Sequence, residues 1–485
     1  MNTTIVNEYY SPDGTPFSFK ISMKDTPAGE LQVQVTEFNQ DDLATNKRSY
    51  ELKDRLHSSY LTFFEQLADD FGLRLPRNKT EPVSAASASY NYRVLLDKNL
   101  DDRMYYGYGD PAAIRVEEAK ETWYYIASTS NDASFSFPLV RSRDLQTWEF
   151  AGYIFPPGNK PAWAAEGEFN ADYWAPEIHQ VGQEFRLYFV ARDKTTRELC
   201  IGMARSRDVA GPYRSETSPI LRGNVIDPHL FIKDESETYL LWKEDNNERW
   251  PNELVDFLYS NPSLVTTLFE RVEDQKTACF LLTIWPWMQH LPPMERFQAE
   301  QVLIEAVIER FSGFQARLQQ VLEKSQEESV MSKIPAILNF MKTPMYAQRL
   351  NQEGNQLIGE KKKIIENDLD WEAHLVEGLW ITEHNKRYYL FYAGNDFSTD
   401  KYGIGVAIAD HFLGPYRKSR QPFLQSSASW VAPGHPSVTT GPDGRPLLFL
   451  HAYFPGTAGY KQFRALLALN LIFKEDTVLI DTAAP

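Results

Sequence analysis

The stretch VIDPHLF, residues 225–231, sets an Asp-Pro pair inside an apolar run, and GDPAAI at 109–114 does the same earlier in the chain. Proline donates no hydrogen bond to a β-ladder and is tolerated at the first residue of a strand. Each pair therefore fixes an acidic side chain at the mouth of a strand. The recurrence of the same device indicates a repeated unit.

Five apolar, strand-like runs recur along the chain, and each follows a distinct opening residue by 10 to 13 positions. The runs are WYYIAS, FRLYFVA, TYLLWK, RYYLFYA and PLLFLHAY, which begin at residues 123, 185, 238, 387 and 446. The opening residues are Asp110, Ala175, Asp227, Glu377 and His435. Three of the four intervals between runs are 53, 59 and 62 residues.

Units of this length with several short strands are typical of a radial array of small sheets. Two units also close with matching segments, IGMARSRDVAGPYR at 201–214 and IGVAIADHFLGPYR at 404–417. The pattern predicts a mainly β protein, a five-bladed β-propeller. The first strand of each blade in such an array runs beside the central axis, so we expect the five opening residues to meet around one axial pocket.

The remaining interval, 149 residues, is roughly 90 residues longer than the others and marks an insertion. Its apolar residues fall three, four or seven apart, which is a helical period. These residues include Phe297, Ile304, Ile308, Phe311, Leu318 and Leu322. We therefore predict propeller blades 1 to 3 over 90–250, an α-helical insertion over 251–364 and blades 4 and 5 over 365–485.

The N-terminal segment, residues 1–76, has a different pattern. FSFKISM at 17–23 and LQVQVTEF at 31–38 alternate strictly between apolar and polar residues, which predicts a β-hairpin. Residues 58–72 read as an amphipathic helix that ends at a glycine. We expect a small α+β extension, joined to the propeller by a linker at 77–89.

The net charge and the hydropathy of the chain limit the classes of molecule that it could bind. The formal net charge of −16 repels nucleic acid and anionic lipid, so we expect neither as a partner, whereas a neutral carbohydrate is compatible. No apolar stretch approaches the length of about 18 residues that spans a bilayer. The start of the chain lacks a secretory pattern, so a cytoplasmic location is expected.

Carboxylates that converge on a pocket are what glycoside hydrolysis requires. One acid protonates the leaving oxygen while a second handles water or the sugar carbon. Asp110, Asp227 and Glu377 can fill these roles if burial and mutual repulsion separate their pKa values.

The ordered set of motifs resembles glycoside hydrolase family 43. The motifs are GDP at 109–111, WAPEI at 174–178, IDPHLF at 226–231, EGLW at 377–380 and GHPSV at 434–438. The resemblance covers all five predicted blades and excludes the N-terminal segment and the insertion. It implies inverting hydrolysis of α-L-arabinofuranosides or β-D-xylosides without a required cofactor.

The resemblance also implies roles for individual residues. Asp110 matches the general base, Glu377 the general acid, and Asp227 the residue that orients the acid and raises its pKa. Trp174 matches a wall of the sugar pocket, although packing between blades is an alternative for it. His435 matches an axial histidine that in parts of the family helps to hold a water-bound ion, often Ca²⁺.

Departures from the family pattern keep alternatives open. Glu377 is followed by Gly-Leu-Trp, where many relatives have Gly-Pro after the acid. The insertion enters just before the same blade, and we expect it to narrow the pocket toward short substrates. A retaining β-fructosidase is disfavoured because Gly109, Ile226 and Gly378 replace its usual residues. A non-catalytic sugar-binding or scaffold propeller is the other alternative. The sugar, the linkage and the oligomeric state are left open.

Overall fold

The computed structural model describes residues 6–53, 57–74, 90–118, 121–131, 134–167, 171–234 and 236–481. The predicted linker at 77–89 lies outside these residues. The chain divides into two compact units, one formed by Met1–Arg77 with Asn246–Lys342 and the other by Asn78–Asp245 with Thr343–Pro485. Each unit is therefore built from two separate stretches of sequence.

The first unit begins with an antiparallel sheet in the order β1-β2-β3-β4. Its strands are β1 (Val6–Tyr10), β2 (Ser18–Asp25), β3 (Leu31–Phe38) and β4 (Ala44–Leu52). Strands β2 and β3 are the predicted hairpin, and their alternation buries one face through residues such as Phe19 and Ile21. This face requires an apolar partner.

Helices supply that partner. They are α1 (His57–Phe71), α2 (Arg249–Ser260), α3 (Val265–Leu268), α4 (Val272–Met288), α5 (Pro293–Ile308), α6 (Phe311–Lys324) and α7 (Glu328–Phe340). Helix α4 packs against β2, and α1 packs against β4 and α5. The Ser11 and Thr283 hydroxyls lie 2.7 Å apart, and the Tyr60 hydroxyl donates to Glu295 at 2.9 Å. The N-terminal extension and the helical insertion thus form one hydrophobic core.

The second unit is a five-bladed β-propeller. Its described part contains five antiparallel sheets, each with four strands in chain order, and the last sheet has β5 as an additional fifth strand. The bounds are β5 (Arg93–Leu96), β6 (Ala112–Glu118), β7 (Glu121–Ala127), β8 (Ser136–Ser142), β9 (Trp148–Phe155), β10 (Trp174–Val181), β11 (Glu184–Arg192), β12 (Leu199–Ser206), β13 (Arg214–Ser215), β14 (Val225–Asp234), β15 (Glu237–Glu244), β16 (Met345–Leu350), β17 (Leu357–Ile365), β18 (Val376–His384), β19 (Arg387–Gly394), β20 (Gly403–Ala409), β21 (Arg417–Lys418), β22 (Val431–Thr440), β23 (Pro446–Tyr453), β24 (Arg464–Lys474) and β25 (Thr477–Ile480).

The inner strands close a ring. Strand β6 contacts β10, β10 contacts β14, β14 contacts β18, β18 contacts β22, and β22 returns to β6. Strand β5, which precedes the first blade, pairs with β24 of the last blade. The first strands of all five blades therefore surround one axis, as the repeat predicts.

The helical insertion is shorter than the sequence predicts. Helix α7 ends at Phe340. Strand β16 then pairs with β15, and β17 pairs with β16, which completes the third blade, so residues 343–364 belong to the propeller. The sequence hides β17 because it is an outer strand whose middle, Lys361–Lys363 included, is exposed on both faces and lacks apolar alternation. Among the described residues, no helix is both long and apolar enough to cross a membrane.

Candidate active site

A left-handed residue opens the inner strand of every blade. The residues are Asp110 (φ 52°), Ala175 (φ 43°), Asp227 (φ 55°), Gly378 (φ 55°) and His435 (φ 49°). A left-handed conformation costs an L-residue roughly 1–2 kcal/mol, and such strain clusters at functional sites. Pairing registers shift at this point in blades 2 to 5, so each strand bulges and turns its opening side chain.

This backbone geometry corrects one alignment made from the sequence. Gly378, not Glu377, occupies the opening position of blade 4, and Glu377 lies one residue earlier, beside the register shift between Glu377 and Trp380. A Cβ on Gly378 would lie 3.0 Å from the Cα and Nδ1 of His435. Blade 4 therefore uses a glycine where the others place a side chain, and this leaves room for His435.

The second strand of each blade adds another ring of residues. Each lies opposite the residue that precedes the opening position, as Lys243 lies opposite Ile226 and His451 lies opposite Gly434. In blade 1 the corresponding residue is Thr129, whose amide donates to the Gly109 carbonyl. These three polar side chains approach the carboxylates.

Asp110 is held as a carboxylate. Its Oδ1 accepts from Arg464 at 2.9 Å and its Oδ2 accepts from the Thr129 hydroxyl at 2.5 Å. The Nδ1 atoms of His435 and His451 lie 3.4 and 3.5 Å from Oδ1. Burial raises the pKa of the Asp110 carboxyl, but Arg464, His435 and the Thr129 hydroxyl outweigh it and leave the pKa well below its usual range. Asp110 is therefore ionised at neutral pH.

The glycines before two opening residues make space for site side chains. A Cβ on Gly109 would lie 1.8 Å from Cζ of Arg464, and a Cβ on Gly434 would lie 1.9 Å from Cε1 of Tyr402. Either contact is impossible for real atoms. Gly109 thus leaves room for the Arg464 guanidinium that pairs with Asp110. Gly434 leaves room for the Tyr402 ring, whose hydroxyl reaches Glu377.

Glu377 lies between two donors. Its Oε1 accepts from the Tyr402 hydroxyl at 2.7 Å, and its Oε2 accepts from Lys243 Nζ at 3.1 Å. Lys243 is fully buried. Burial lowers the pKa of the Lys243 ammonium, but the charges of Glu377, Asp245 and Asp227 raise it further than burial lowers it. Lys243 is consequently charged.

Asp227 is the protonatable carboxyl of the group. Its Oδ2 accepts from the Gly378 amide at 2.7 Å. Burial raises the pKa of Asp227 to about 6, and the charge of Glu377 acts in the same direction, while His435 and Lys243 oppose them. The two carboxyls are therefore electrostatically coupled, and adding a proton to one favours ionisation of the other.

The structure brings Asp110, Asp227, Glu377 and His435 together in one cluster. His435 faces Asp110, and burial together with the charges of Glu377, Asp110 and Asp227 raises the pKa of the Tyr402 hydroxyl. Trp174 lies beside this group. Its indole donates to Asn131 of blade 1 at 3.0 Å, and its ring packs on an apolar cluster that includes Ile226 of blade 3. Packing between blades is therefore one role of Trp174.

A candidate metal cluster lies elsewhere on the inner strands. Among the described residues, Glu177, His179 and His229 could present ligand atoms to one ion. His229 Nδ1 lies 3.0 Å from the Glu177 carboxylate, while its Nε2 accepts from the Ile381 amide at 3.1 Å. The proton of His229 is therefore on Nδ1, and neither ring nitrogen has a lone pair for an ion. Burial opposes ionisation of Glu177, yet His229 and His179 lower its pKa to about 2.

The described carboxylates near His435 do not form a protein cage for the expected axial calcium, and a water-bound ion there stays a prediction. Calcium requires six to eight oxygen ligands. The carboxylate oxygens near His435 already accept from Arg464, Thr129 and the Gly378 amide. The arrangement provides no oxygen cage, and no chemical step below is assigned to a metal.

Comparison with known proteins decides the family. The profile of Glycosyl hydrolases family 43 matches residues 106–278 and 333–479. The chain belongs to this family. The match confirms the resemblance that the five motifs indicated and disfavours the fructosidase alternative.

The family-43 chain is similar in sequence to several curated relatives. It is 28% identical over 137 residues to a probable arabinan endo-1,5-alpha-L-arabinosidase A from Aspergillus flavus, covering 27% of this chain and 40% of the relative. It is 26% identical over 133 residues to an extracellular exo-alpha-(1->5)-L-arabinofuranosidase from Cellvibrio japonicus, covering 25% and 36%. The matched segments thus span less than half of these relatives.

Solved structures support the fold of the family-43 chain. A thermostable family-43 glycoside hydrolase superposes with a TM-score of 0.53 at 22% identity, covering 78% of this chain and 95% of the other. An endo-1,4-beta-xylanase from Bacteroides thetaiotaomicron superposes with a TM-score of 0.50 at 18% identity, covering 79% and 97%. These similarities establish the architecture and not the substrate.

Sequence reasoning missed five residues of the site: Thr129, Lys243, Tyr402, His451 and Arg464. A signal for three of them was present. Thr129, Lys243 and His451 are polar residues at or just after the end of otherwise apolar runs, WYYIAS, TYLLW and PLLFL. Tyr402 and Arg464 have no counterpart in the repeat, and only the fold brings them to the carboxylates.

Proposed function

We propose that this family-43 protein hydrolyses α-L-arabinofuranosides, β-D-xylosides or both by a single displacement with inversion at the anomeric carbon. Asp110 acts as the general base and Glu377 as the general acid. The observation that supports this assignment is the contrast between the two carboxyl environments. Asp110 is held ionised by a cation, whereas Glu377 lies beside a second carboxyl, Asp227, whose pKa burial raises to about 6.

The base must be ionised before water can lose a proton to it. Arg464 and Thr129 each bond one oxygen of Asp110, which fixes the plane of the carboxylate. In the proposed reaction, Asp110 takes a proton from water as the water oxygen attacks the anomeric carbon. Inversion requires roughly 6.5–9.5 Å between the base and acid carboxyls so that water fits between them.

The acid must deliver a proton to the glycosidic oxygen as the carbon–oxygen bond breaks. Glu377 meets Tyr402 and Lys243, which stabilise the carboxylate that remains after this transfer. Asp227 accepts from the amide of Gly378, the residue after Glu377, and so orients the strand that carries the acid. The roles of Asp227 and Glu377 thus differ because their hydrogen-bond partners differ.

The substrate class is supported by the named activities of the relatives. An arabinan endo-arabinosidase, an exo-arabinofuranosidase and a xylosidase/arabinosidase from Humicola insolens all share sequence with the chain. The last is 36% identical over 67 residues, which cover 14% of this chain and 20% of the relative. Pentose sugars are therefore the first substrates to test.

The test is a panel of aryl glycosides, with arabinofuranoside and xyloside foremost, in which NMR follows the anomer first released. We expect hydrolysis with inversion by the wild type, and a loss of at least about 100-fold in kcat for Asp110→Asn, the scale of general base catalysis. Asp443→Asn, on an exposed turn outside the site, is the matched control and should keep wild-type activity. A retained anomer, or equal activity of wild type and Asp110→Asn, contradicts the proposal.

A further inference from the structure

Lys243 lies between two carboxylates at nearly equal distances. Its Nζ is 3.1 Å from Glu377 Oε2 and 3.5 Å from Asp245 Oδ1. Glu377 has a second donor in Tyr402. Asp245 Oδ1 is buried and has no hydrogen-bond partner among the described residues. Lys243 is thus its ion-pair partner at 3.5 Å without a hydrogen bond, and a buried carboxylate oxygen without a hydrogen bond costs free energy unless some state of the protein supplies one.

The proposed reaction supplies such a state. A general acid is protonated when the substrate binds and is a carboxylate after the bond breaks. Lys243 is always a donor, so a protonated Glu377 no longer attracts its ammonium as a carboxylate does. The ammonium then needs another acceptor, and Asp245 Oδ1 lies 3.5 Å from it with no hydrogen-bond donor among the described residues.

We propose that Lys243 and Asp245 are positioning residues that control the protonation of Glu377, the ammonium pairing with Asp245 when Glu377 is protonated and with Glu377 when it is ionised. This inference rests on the proposed function, in which Glu377 is the acid. As the glycosidic bond breaks, its electron pair and the Glu377 proton both go to the leaving oxygen. Lys243 then stabilises the new carboxylate, and a proton from solvent restores the acid.

Other charged groups face the pair and limit the alternatives. Asp227, on β14, adds negative charge beside both Lys243 and Glu377, but its Oδ2 already accepts from the Gly378 amide. His435, on β22, acts on Asp227. Asp110 is paired with Arg464 on β24, and Tyr402 donates to Glu377. Asp245 is therefore the acceptor that remains for the Lys243 ammonium when Glu377 is protonated.

The experiment measures kcat/KM against pH for Asp245→Asn with an aryl glycoside whose leaving group needs protonation. Without Asp245 the ammonium stays on Glu377 and keeps it ionised, so the alkaline limb should move to lower pH by about one unit, the smaller end of the effect of a neighbouring charge. A dinitrophenyl glycoside leaves without acid assistance and should be hydrolysed at nearly the wild-type rate.

A second variant protects the test against misfolding. Lys243→Met/Asp245→Asn removes both charges together, and its alkaline limb should lie at least about one pH unit above that of Asp245→Asn because the cation is gone. If Asp245 had only a structural role, adding Lys243→Met to Asp245→Asn would not move the alkaline limb back to higher pH. Asp172→Asn changes a buried carboxylate paired with Arg192 in blade 2 and should leave the limb unmoved.

The outcomes separate the inference from the proposed function. If Glu377→Ala hydrolyses the poor-leaving-group substrate as well as wild type, the acid assignment is wrong. If Glu377→Ala loses that activity, yet Asp245→Asn and the double variant share the wild-type limb, Lys243 and Asp245 do not control the acid and the inference is overturned.

Discussion

Replacing Gly109 with alanine tests the link between the backbone of blade 1 and the charge state of Asp110. The new methyl group would lie 1.8 Å from Arg464 Cζ and 1.9 Å from its Nη2. Nonbonded carbon atoms need about 3.5 Å, so the guanidinium must shift by roughly 1.5 Å or more. Its 2.9 Å hydrogen bond to Asp110 then breaks.

The shift has two calculable consequences. Arg464 is the largest influence that lowers the pKa of Asp110, so its removal raises that pKa by about 1–2 units. Activity falls when pH drops through the pKa of the base, and the acid limb of kcat/KM therefore moves to higher pH by the same amount. Breaking a buried ion pair also costs about 3 kcal/mol of unfolding free energy, or about 6 °C in Tm.

The assay is a pH profile with an aryl arabinofuranoside or xyloside, paired with a thermal melt. Gly313→Ala is the matched control because the added methyl on α6 would lie 3.5 Å from Arg317 Nη1, an ordinary contact. It should stabilise α6 by up to about 1 kcal/mol and leave the pH profile unchanged. If Gly109→Ala keeps both the wild-type acid limb and the wild-type Tm, the packing of Arg464 against Gly109 does not govern Asp110.

Three further predictions concern other contacts. Tyr402→Phe removes a donor from the Glu377 carboxylate, so kcat/KM should fall by roughly 10- to 100-fold and the alkaline limb of its pH profile should move upward. The pKa of Glu177 is lowered to about 2, so the ionised carboxylate stabilises the fold fully above the pKa of the unfolded state and this stabilisation is lost as pH falls from about 4 to 2. Glu177→Gln should therefore lower Tm at pH 7 by the equivalent of about 3 kcal/mol. A melt series in which this deficit in Tm persists unchanged at pH 2 would contradict the prediction. Arg74→Met should destabilise the first unit by about 3–5 kcal/mol in chemical denaturation because it leaves Asp274 buried without its cation, and an unchanged midpoint would refute that.

The fold was predictable because its unit repeats. Strands, turns and opening residues recur at nearly constant intervals, and an insertion of helical period is conspicuous against that background. The boundary of the insertion was not predictable, because β17 pairs along one edge and exposes its lysines on both faces. A strand that buries neither face shows no alternation in sequence.

The site was predictable where a residue occupies a repeated position. Asp110, Asp227 and His435 open their strands, and the motif order placed Glu377 beside them. Arg464 begins the third strand of blade 5, and its side chain reaches Asp110 only because the ring closes between blades 5 and 1. Contacts that depend on ring closure cannot be seen in a local pattern.

The first unit is assembled from two stretches of chain, and the first two blades of the propeller with half of the third are encoded between them. During synthesis its sheet emerges early, and the apolar side of that sheet has only α1 as helical cover until residues beyond 246 have been made. A shortened gene product that starts at the propeller would leave α4 with an apolar surface and no sheet to cover it. To express either unit alone, the two stretches of sequence that form it must therefore be joined, because removing residues from one end of the chain does not separate the units.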